Sequence, residues 1–217
     1  MKFKTTLIFF ITLAVIASVF FLDLNIGLGT LFLLSGIVLL AAYLDTGKKF
    51  ITSIGFQRKH VSLFNLGILA PITGLIILVI YRYVLVPSVT KLTGVPIDIS
   101  SFDPIRNNLP VLLSTLAFVW TSAEFGEEIV FRGYLMTRFS KVFGTSRTAI
   151  IANIVLFGIF FGAIHAYQGI TGQILSGITG AMIATIFHLK KNDLWFCVIV
   201  HGAIDTFALV AIYFNIF

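Results

Sequence analysis

Hydrophobic residues fall along the chain in long apolar runs that are separated by short polar segments. An α-helix needs about 20 apolar residues to cross the hydrocarbon core of a bilayer. Seven runs have about this length, and the pattern predicts a transmembrane helix over each: 5–22, 26–44, 62–86, 109–137, 148–167, 171–189 and 194–215. The sequence therefore predicts an all-α fold, a polytopic membrane helix bundle of about seven transmembrane helices with the functional site inside the bundle.

The two longest connections between these runs differ in character. Segment 46–61 is polar and basic, and we expect it to lie at the membrane interface. Segment 87–108 contains three prolines and two aspartates and is predicted to be the longest loop. We expect residues 1–108 to hold N-terminal transmembrane helices and these connections, and residues 109–217 to form the domain that carries the chemistry.

Lys and Arg residues alternate between rich and poor connections along the chain. The N-terminus and the second, fourth and sixth connections carry two, four, three and two of them, whereas the first and fifth carry none. The third carries Lys91 and Arg106, which two aspartates offset. Because cytoplasmic connections retain Lys and Arg, this alternation predicts a multi-pass protein of the cell membrane with a cytoplasmic N-terminus and an external C-terminus.

The composition supports a membrane protein and decides how the net charge is interpreted. Hydrophobic residues make up 58% of the chain and charged residues 11%, with a mean hydropathy of +1.04. A soluble domain carries about 25% charged residues. The basic residues behind the net charge of +6 lie mostly in short connections, so we interpret them as topology signals and contacts with membrane lipid, and expect no nucleic-acid partner. Cys197 is the only cysteine, so no intrachain disulfide can form.

Four ionisable residues interrupt the fourth apolar run: Glu124, Glu127, Glu128 and Arg132. Each would cost about 2.5–3.5 kcal/mol if it faced lipid at the bilayer centre, so we expect them to face a polar cavity or one another. Glu128 and Arg132 can pair because they are four residues apart on one helix face. Glu127 is rotated by about 100° from Glu128, and it stays free to act, with Glu124 in a supporting or direct role. The alternative is a structural ion pair that stabilises the bundle.

Two later runs carry the remaining candidates, His165 in the fifth and His201 with Asp205 in the seventh. His201 and Asp205 share a helix face because they are four residues apart. The hairpin between the fourth and fifth runs turns near 144–146, and Glu127 and His165 each lie about 25–29 Å from it, at similar depth. The alternatives are structural: a carbonyl partner for His165, and a self-paired couple of His201 and Asp205.

These residues come from three helices of one apolar bundle. We expect their side chains to contact one another, because burying an unpaired polar group costs free energy. A carboxylate beside a histidine can activate a water molecule. The remaining imidazole and carboxyl can stabilise an oxyanion as a carbonyl is attacked. If the basic hairpin tip protrudes into the cytoplasm, we expect the site to open to the cytoplasmic side.

Three motifs occur in order on the last spans: EEIVFRGYL from Glu127, Phe161-x-x-x-His165, and His201-x-x-x-Asp205. Together they resemble the CPBP family of intramembrane proteases, which are related to the CAAX prenyl proteases and include bacterial bacteriocin-immunity proteins. The resemblance covers about 109–210 and implies that 109–217 is a CPBP-like catalytic transmembrane domain.

The resemblance implies a role for each matched residue. Glu127 would be the base that activates water, with His165 beside it. Glu128 and Arg132 would form an orienting pair, and His201 would polarise the scissile carbonyl. The residue four after His201 is often Asn in the family, and here it is Asp205. An acid cannot donate a hydrogen bond unless it is protonated, so Asp205 would instead orient His201 or bind a metal.

The family has been described both as metalloproteases and as glutamate-dependent proteases. Glu127, His165 and His201 could supply three zinc ligands and leave an open position for water. Their spacing is not the His-Glu-x-x-His pattern that identifies a zinc site in sequence. The sequence leaves the choice between zinc and no cofactor open.

The resemblance implies an intramembrane endopeptidase that cuts a membrane protein or a peptide. Short connections favour a bacterial member, for which we expect a leader peptide, a pheromone precursor or a bacteriocin-related peptide. A non-enzymatic scaffold or immunity protein that retains the protease fold is the alternative. A proton-coupled transporter is a third reading of the acids and histidines, and the lack of an internal repeat argues against it. The sequence does not predict the oligomeric state.

Overall fold

Long helices follow the apolar runs of the sequence. The computed structural model describes residues 2–21 and 29–216, and the first predicted connection, with Asp23 and Asn25, lies outside them. Seven long helices are described: α1 Lys2–Phe21, α2 Thr30–Thr46, α3 Asn65–Thr93, α4 Leu109–Phe143, α5 Arg147–Ala163, α6 Gly169–Leu189 and α7 Leu194–Tyr213. Six are long and apolar enough to cross a membrane when short helical turns adjoining α2 and α6 are included, and α5 is a shorter apolar helix. The all-α membrane bundle is confirmed.

Helix α3 continues beyond the point where the sequence predicted a loop. A π-helical stretch, Tyr81–Leu85, precedes Pro87 and gives the backbone room for a residue that has no N–H to donate. The helix ends only at Gly94, which adopts a left-handed conformation at φ 72°. The predicted loop 87–108 is therefore shorter, and part of it forms the 3₁₀ helix Ser100–Ile105.

Helix α4 is also longer than predicted, because two basic residues that were assigned to a connection belong to it. Arg138 is buried and lies 3.0 Å from Asp45 of α2. The same carboxylate lies 3.3 Å from Lys141 and accepts a 2.7 Å hydrogen bond from Thr5 of α1. The carboxylate of Asp45, which is distant in sequence, compensates the charge of Arg138 that these extra turns bury.

Helices α5 and α6 pack backbone to backbone. A side chain at Gly162 would overlap the Gln173 carbonyl oxygen and lie 3.1 Å from the Gly177 Cα atom. Small residues at this spacing let transmembrane helices approach closely. The close approach fixes the end of α5 against α6.

The basic connections gather at one end of the bundle. At this basic end His60 lies 3.5 Å from Asp193, close to the Asp45 contacts described above. At the opposite end, the Asp98 N–H donates to the Gln168 carbonyl at 3.2 Å and the Asn107 N–H to the Tyr213 carbonyl at 3.1 Å. We call this the loop end, because it carries segment 94–108. For the connections within the described residues, the predicted alternation between two ends is confirmed.

Candidate active site

The acidic cluster lies near the middle of α4, where the helix winding changes. A short α-helical stretch, Phe125–Glu128, lies between the π-helical stretches Trp120–Glu124 and Ile129–Met136. Such wide turns are frequent at functional sites. Glu127 lines a cavity, and Glu128 is fully buried behind it. The predicted divergence of the two neighbouring carboxylates is confirmed.

Glu128 links two helices through one carboxylate oxygen. Its Oε1 atom accepts a 2.8 Å hydrogen bond from Arg132 Nη1 and lies 3.0 Å from His201 Nδ1 on α7. Arg132 Nη2 donates to the Gly180 carbonyl of α6 at 2.8 Å, and the guanidinium lies 4.8 Å from the centre of the Phe161 ring. The i,i+4 pair is as predicted, and the links to α6 and α7 are new.

His201 has two chemically different ring nitrogens. A carboxylate only accepts hydrogen bonds, so Nδ1 carries the hydrogen that it shares with Glu128. Nε2 faces Asp205, whose Oδ2 atom lies 3.9 Å away. This distance is too long for a hydrogen bond and short enough for an electrostatic interaction. The predicted shared face of His201 and Asp205 is confirmed.

His165 lies beyond the end of α5, not within a helix running to residue 167 as predicted. The helix ends at Ala163, and His165 begins the turn that leads into α6. Its Nδ1 atom lies 2.8 Å from the Phe161 carbonyl, which can only accept, so Nδ1 is the donor. Nε2 is then the nitrogen with a free lone pair. His165 thus makes the carbonyl contact that was considered as the structural alternative, and it also lines the cavity.

One cavity of about 920 Å³ brings together four of the predicted residues: Glu127, His165, His201 and Asp205. Glu128 and Arg132 are buried behind this lining and contact it through His201. Glu127 and His165, which were predicted at similar depth, both line this cavity. Glu124 is fully buried away from the lining.

The cavity extends to the loop end, where segment 97–102 and the turn 163–168 contribute to its lining. No described lining residue belongs to the basic hairpin 144–146, so the expected opening to the cytoplasmic side stays a prediction. Glu127 itself lies near mid-length of α4, 18 residues after its start at Leu109 and 16 before its end at Phe143.

The predicted zinc ligands do not form a metal cluster. Among the described residues, no three His, Cys, Asp or Glu side chains are grouped so that they could hold a metal ion. Glu127, His165 and His201 line one cavity, and both histidines use Nδ1 for other contacts. Zinc stays a prediction from the sequence.

Nothing in the sequence indicates the contact that positions His201 from behind. Trp120 Nε1 donates a 3.0 Å hydrogen bond to Thr206 Oγ1 on α7. Its ring packs so closely on Gly202 that any side chain there would overlap it. A glycine directly after a candidate histidine is only a weak signal that another side chain packs there, because only the tertiary structure shows which ring fills the space.

Residues 108–207 match the family model described as type II CAAX prenyl endopeptidase Rce1-like. The match covers 100 of the 217 residues, so it shows the similarity to this family for that part of the chain. The matched range contains all six predicted site residues, and it confirms the resemblance to CAAX-type proteases. The Rce1-like domain supports a protease with a peptide substrate, and together with six apolar helices it indicates a multi-pass membrane protein. No curated protein and no solved structure matches the chain.

Proposed function

We propose that the protein is an intramembrane endopeptidase that hydrolyses an internal bond of a membrane-associated or leader-type peptide. The observation that carries the proposal is that Glu127, His165, His201 and Asp205 line one cavity inside an apolar bundle. A charged group in such a bundle is costly. Four ionisable groups that face one cavity can transfer protons and stabilise an oxyanion.

Glu127 is the general base. Its carboxylate makes no side-chain hydrogen bond in the described part of the chain, and Arg132, the nearest buried cation on its helix, is held by Glu128. Glu127 removes a proton from water as the water oxygen attacks the carbonyl carbon. When the carbon–nitrogen bond breaks, the departing amine takes this proton from Glu127. His165 Nε2, on the same cavity wall, holds the water beside the base.

His201 stabilises the oxyanion. Glu128 fixes its ring through Nδ1 at 3.0 Å, and this leaves Nε2 on the side of Asp205. A protonated Nε2 donates a hydrogen bond to the developing negative oxygen. Asp205, at 3.9 Å, supports the positive charge of His201 in place of donating a hydrogen bond itself. This assignment accommodates Asp where the family often has Asn.

The cavity lining favours an internal bond in a largely apolar peptide. None of the described lining residues is Lys or Arg, and two are the acids Glu127 and Asp205. A C-terminal carboxylate next to the scissile bond would find acids and no permanent cation. Apolar side chains such as Phe118, Phe160 and Leu209 cover much of the wall and fit apolar flanking residues.

Peptide release by the purified protein from a library of membrane-associated peptides tests the proposal. We expect Glu127→Gln to reduce the rate by about 10²–10⁴-fold, the usual contribution of a general base, and His165→Ala to reduce it strongly. Asp103→Asn is the matched control, because it makes the same change of acid to amide at an exposed position.

The same assay decides about zinc and about the scaffold. Loss of release in a chelator with recovery on adding zinc would contradict the metal-free mechanism. Wild-type release rates in Glu127→Gln would remove Glu127 from the chemistry. If the wild type cleaves no library peptide, and Glu127→Gln supports full biological function while accumulating normally in the membrane, the non-enzymatic scaffold is the better reading.

A further inference from the structure

The distribution of basic residues distinguishes the two ends of the bundle. Three of the fifteen Lys and Arg residues lie toward the loop end, Arg82, Lys91 and Arg106, and one, Arg132, lies inside the site. The other eleven lie toward the basic end: Lys2, Lys4, Lys48, Lys49, Arg58, Lys59, Arg138, Lys141, Arg147, Lys190 and Lys191. Because Lys and Arg in short connections are retained in the cytoplasm, this asymmetry places the basic end inside the cell and the loop end outside.

The cavity approaches only one of these ends. None of the described residues that line it belongs to 46–60, 138–147 or 190–193, the segments of the basic end. Between the site and that end the bundle is packed. Ile54 and Leu194 are fully buried there, and the Leu194 N–H donates to the Gly55 carbonyl at 3.3 Å.

At the loop end, hydrogen bonds within the chain hold one wall of the cavity in place. Thr171 at the start of α6 donates a 2.6 Å hydrogen bond to the Val95 carbonyl, and its hydroxyl lies 2.7 Å from that of Thr93. The Asp98 N–H donates to the Gln168 carbonyl, three residues after His165. These bonds attach segment 93–98 beside the turn that carries His165, so this side of the cavity has a defined rim.

We infer that the cavity admits its peptide from the extracytoplasmic face of the membrane. The inference rests on the proposed function and specifies its substrate class. The substrate is a peptide segment that has already crossed the membrane, or the external end of a transmembrane segment, with apolar residues around the scissile bond. A peptide confined to the cytoplasm would meet the packed basic end.

Labelling of single cysteines from each side of the membrane tests this inference without any need for catalysis. Cys197 is fully buried, so the unmodified protein is the unlabelled control. Ser176→Cys, a near-isosteric change, reports from inside the cavity and Ser101→Cys from its rim. Thr145→Cys, in the exposed hairpin of the basic end, is the reporter for the opposite side.

We expect a membrane-impermeant maleimide to label Ser176→Cys and Ser101→Cys in intact cells, and Thr145→Cys only after permeabilisation. Labelling of Thr145→Cys in intact cells would overturn the inferred orientation. Failure to label Ser176→Cys and a second cavity reporter, Thr179→Cys, from outside would overturn the inferred opening. Repeating the labelling in the Glu127→Gln background separates this result from the proposed catalytic role, because the accessible side does not depend on hydrolysis.

Discussion

Removing one member of the buried Glu128–Arg132 pair leaves the other charge inside the bundle without its partner. Arg132 is 1% exposed and Glu128 is fully buried. Breaking such a pair from one side costs about 3–5 kcal/mol, because the remaining charge stays desolvated. We expect Glu128→Leu and Arg132→Met each to destabilise the protein by this amount, which corresponds to a decrease in Tm of about 6–20 °C for a chain of this size.

Replacing both charges should separate stability from activity. The double variant Glu128→Leu/Arg132→Met removes both charges of the pair, and apolar replacements of a buried pair are often neutral. The remaining cost is that of the His201 Nδ1 donor, which loses its acceptor in the double variant as it does in Glu128→Leu. We expect it to recover most of the Tm that either single variant loses. Peptide hydrolysis should not recover, because the ring of His201 then lacks the carboxylate that lies 3.0 Å from Nδ1.

Cys197 provides the stability assay, because it is the only cysteine and is fully buried. A dye that fluoresces on reaction with a thiol reports unfolding as the detergent-solubilised protein is heated. The control is Arg106→Met, which breaks the exposed Asp103–Arg106 pair and should cost about 0–1 kcal/mol. Additive losses of Tm in the double variant, or wild-type hydrolysis by it, would refute the reasoning.

Two further variants test individual contacts. Asp205→Ala should lose most of the peptide hydrolysis in the release assay, because His201 then lacks the carboxylate that lies 3.9 Å from Nε2. Asp205→Asn should retain more of it, because an amide can itself donate a hydrogen bond to the oxyanion, and equal activities of the two variants would exclude a polar role for this position. Asp193 caps α7 by accepting the Phe196 N–H at 3.1 Å, so Asp193→Ala should cost about 0.5–2 kcal/mol while Asp193→Asn keeps the cap. Burial raises the pKa of Asp193, so ionisation is disfavoured in the folded protein and the stability from this group decreases as pH rises through the raised pKa. We therefore expect the Tm of Asp193→Asn to increase relative to the wild-type Tm as the pH of the unfolding experiment is raised. A decrease of the Asp193→Asn Tm relative to the wild-type Tm over the same pH range would contradict this.

The apolar runs were sufficient to predict the number and order of the helices, because length and hydropathy alone set a membrane span. They were insufficient at two helix ends. Pro87 marks a loop in most contexts, and here a π-helical stretch accommodates it. Arginine is a residue type that is typical of connections, and only the contact of Arg138 with Asp45 shows why this arginine is buried in α4.

The candidate site divides in the same way between local and distant contacts. The Glu128–Arg132 pair follows from a four-residue spacing on one helix, and this spacing is visible in the sequence itself. The Glu128–His201 contact joins residues 73 positions apart, so only the packing of α7 on α4 reveals it. The side on which the cavity opens could not be derived from the sequence, because distance from the hairpin gives depth and does not show which end of the bundle is packed.

The shortness of α5 has a consequence for the lipid around the protein. Its 17 residues span about 25 Å, less than the hydrocarbon thickness of about 30 Å, and a bilayer adapts to a short helix by thinning locally. One end of this short helix lies beside His165. Thinning at that end would bring the membrane–water interface closer to His165, so the shortness of α5 would shorten the path of water to the proposed site.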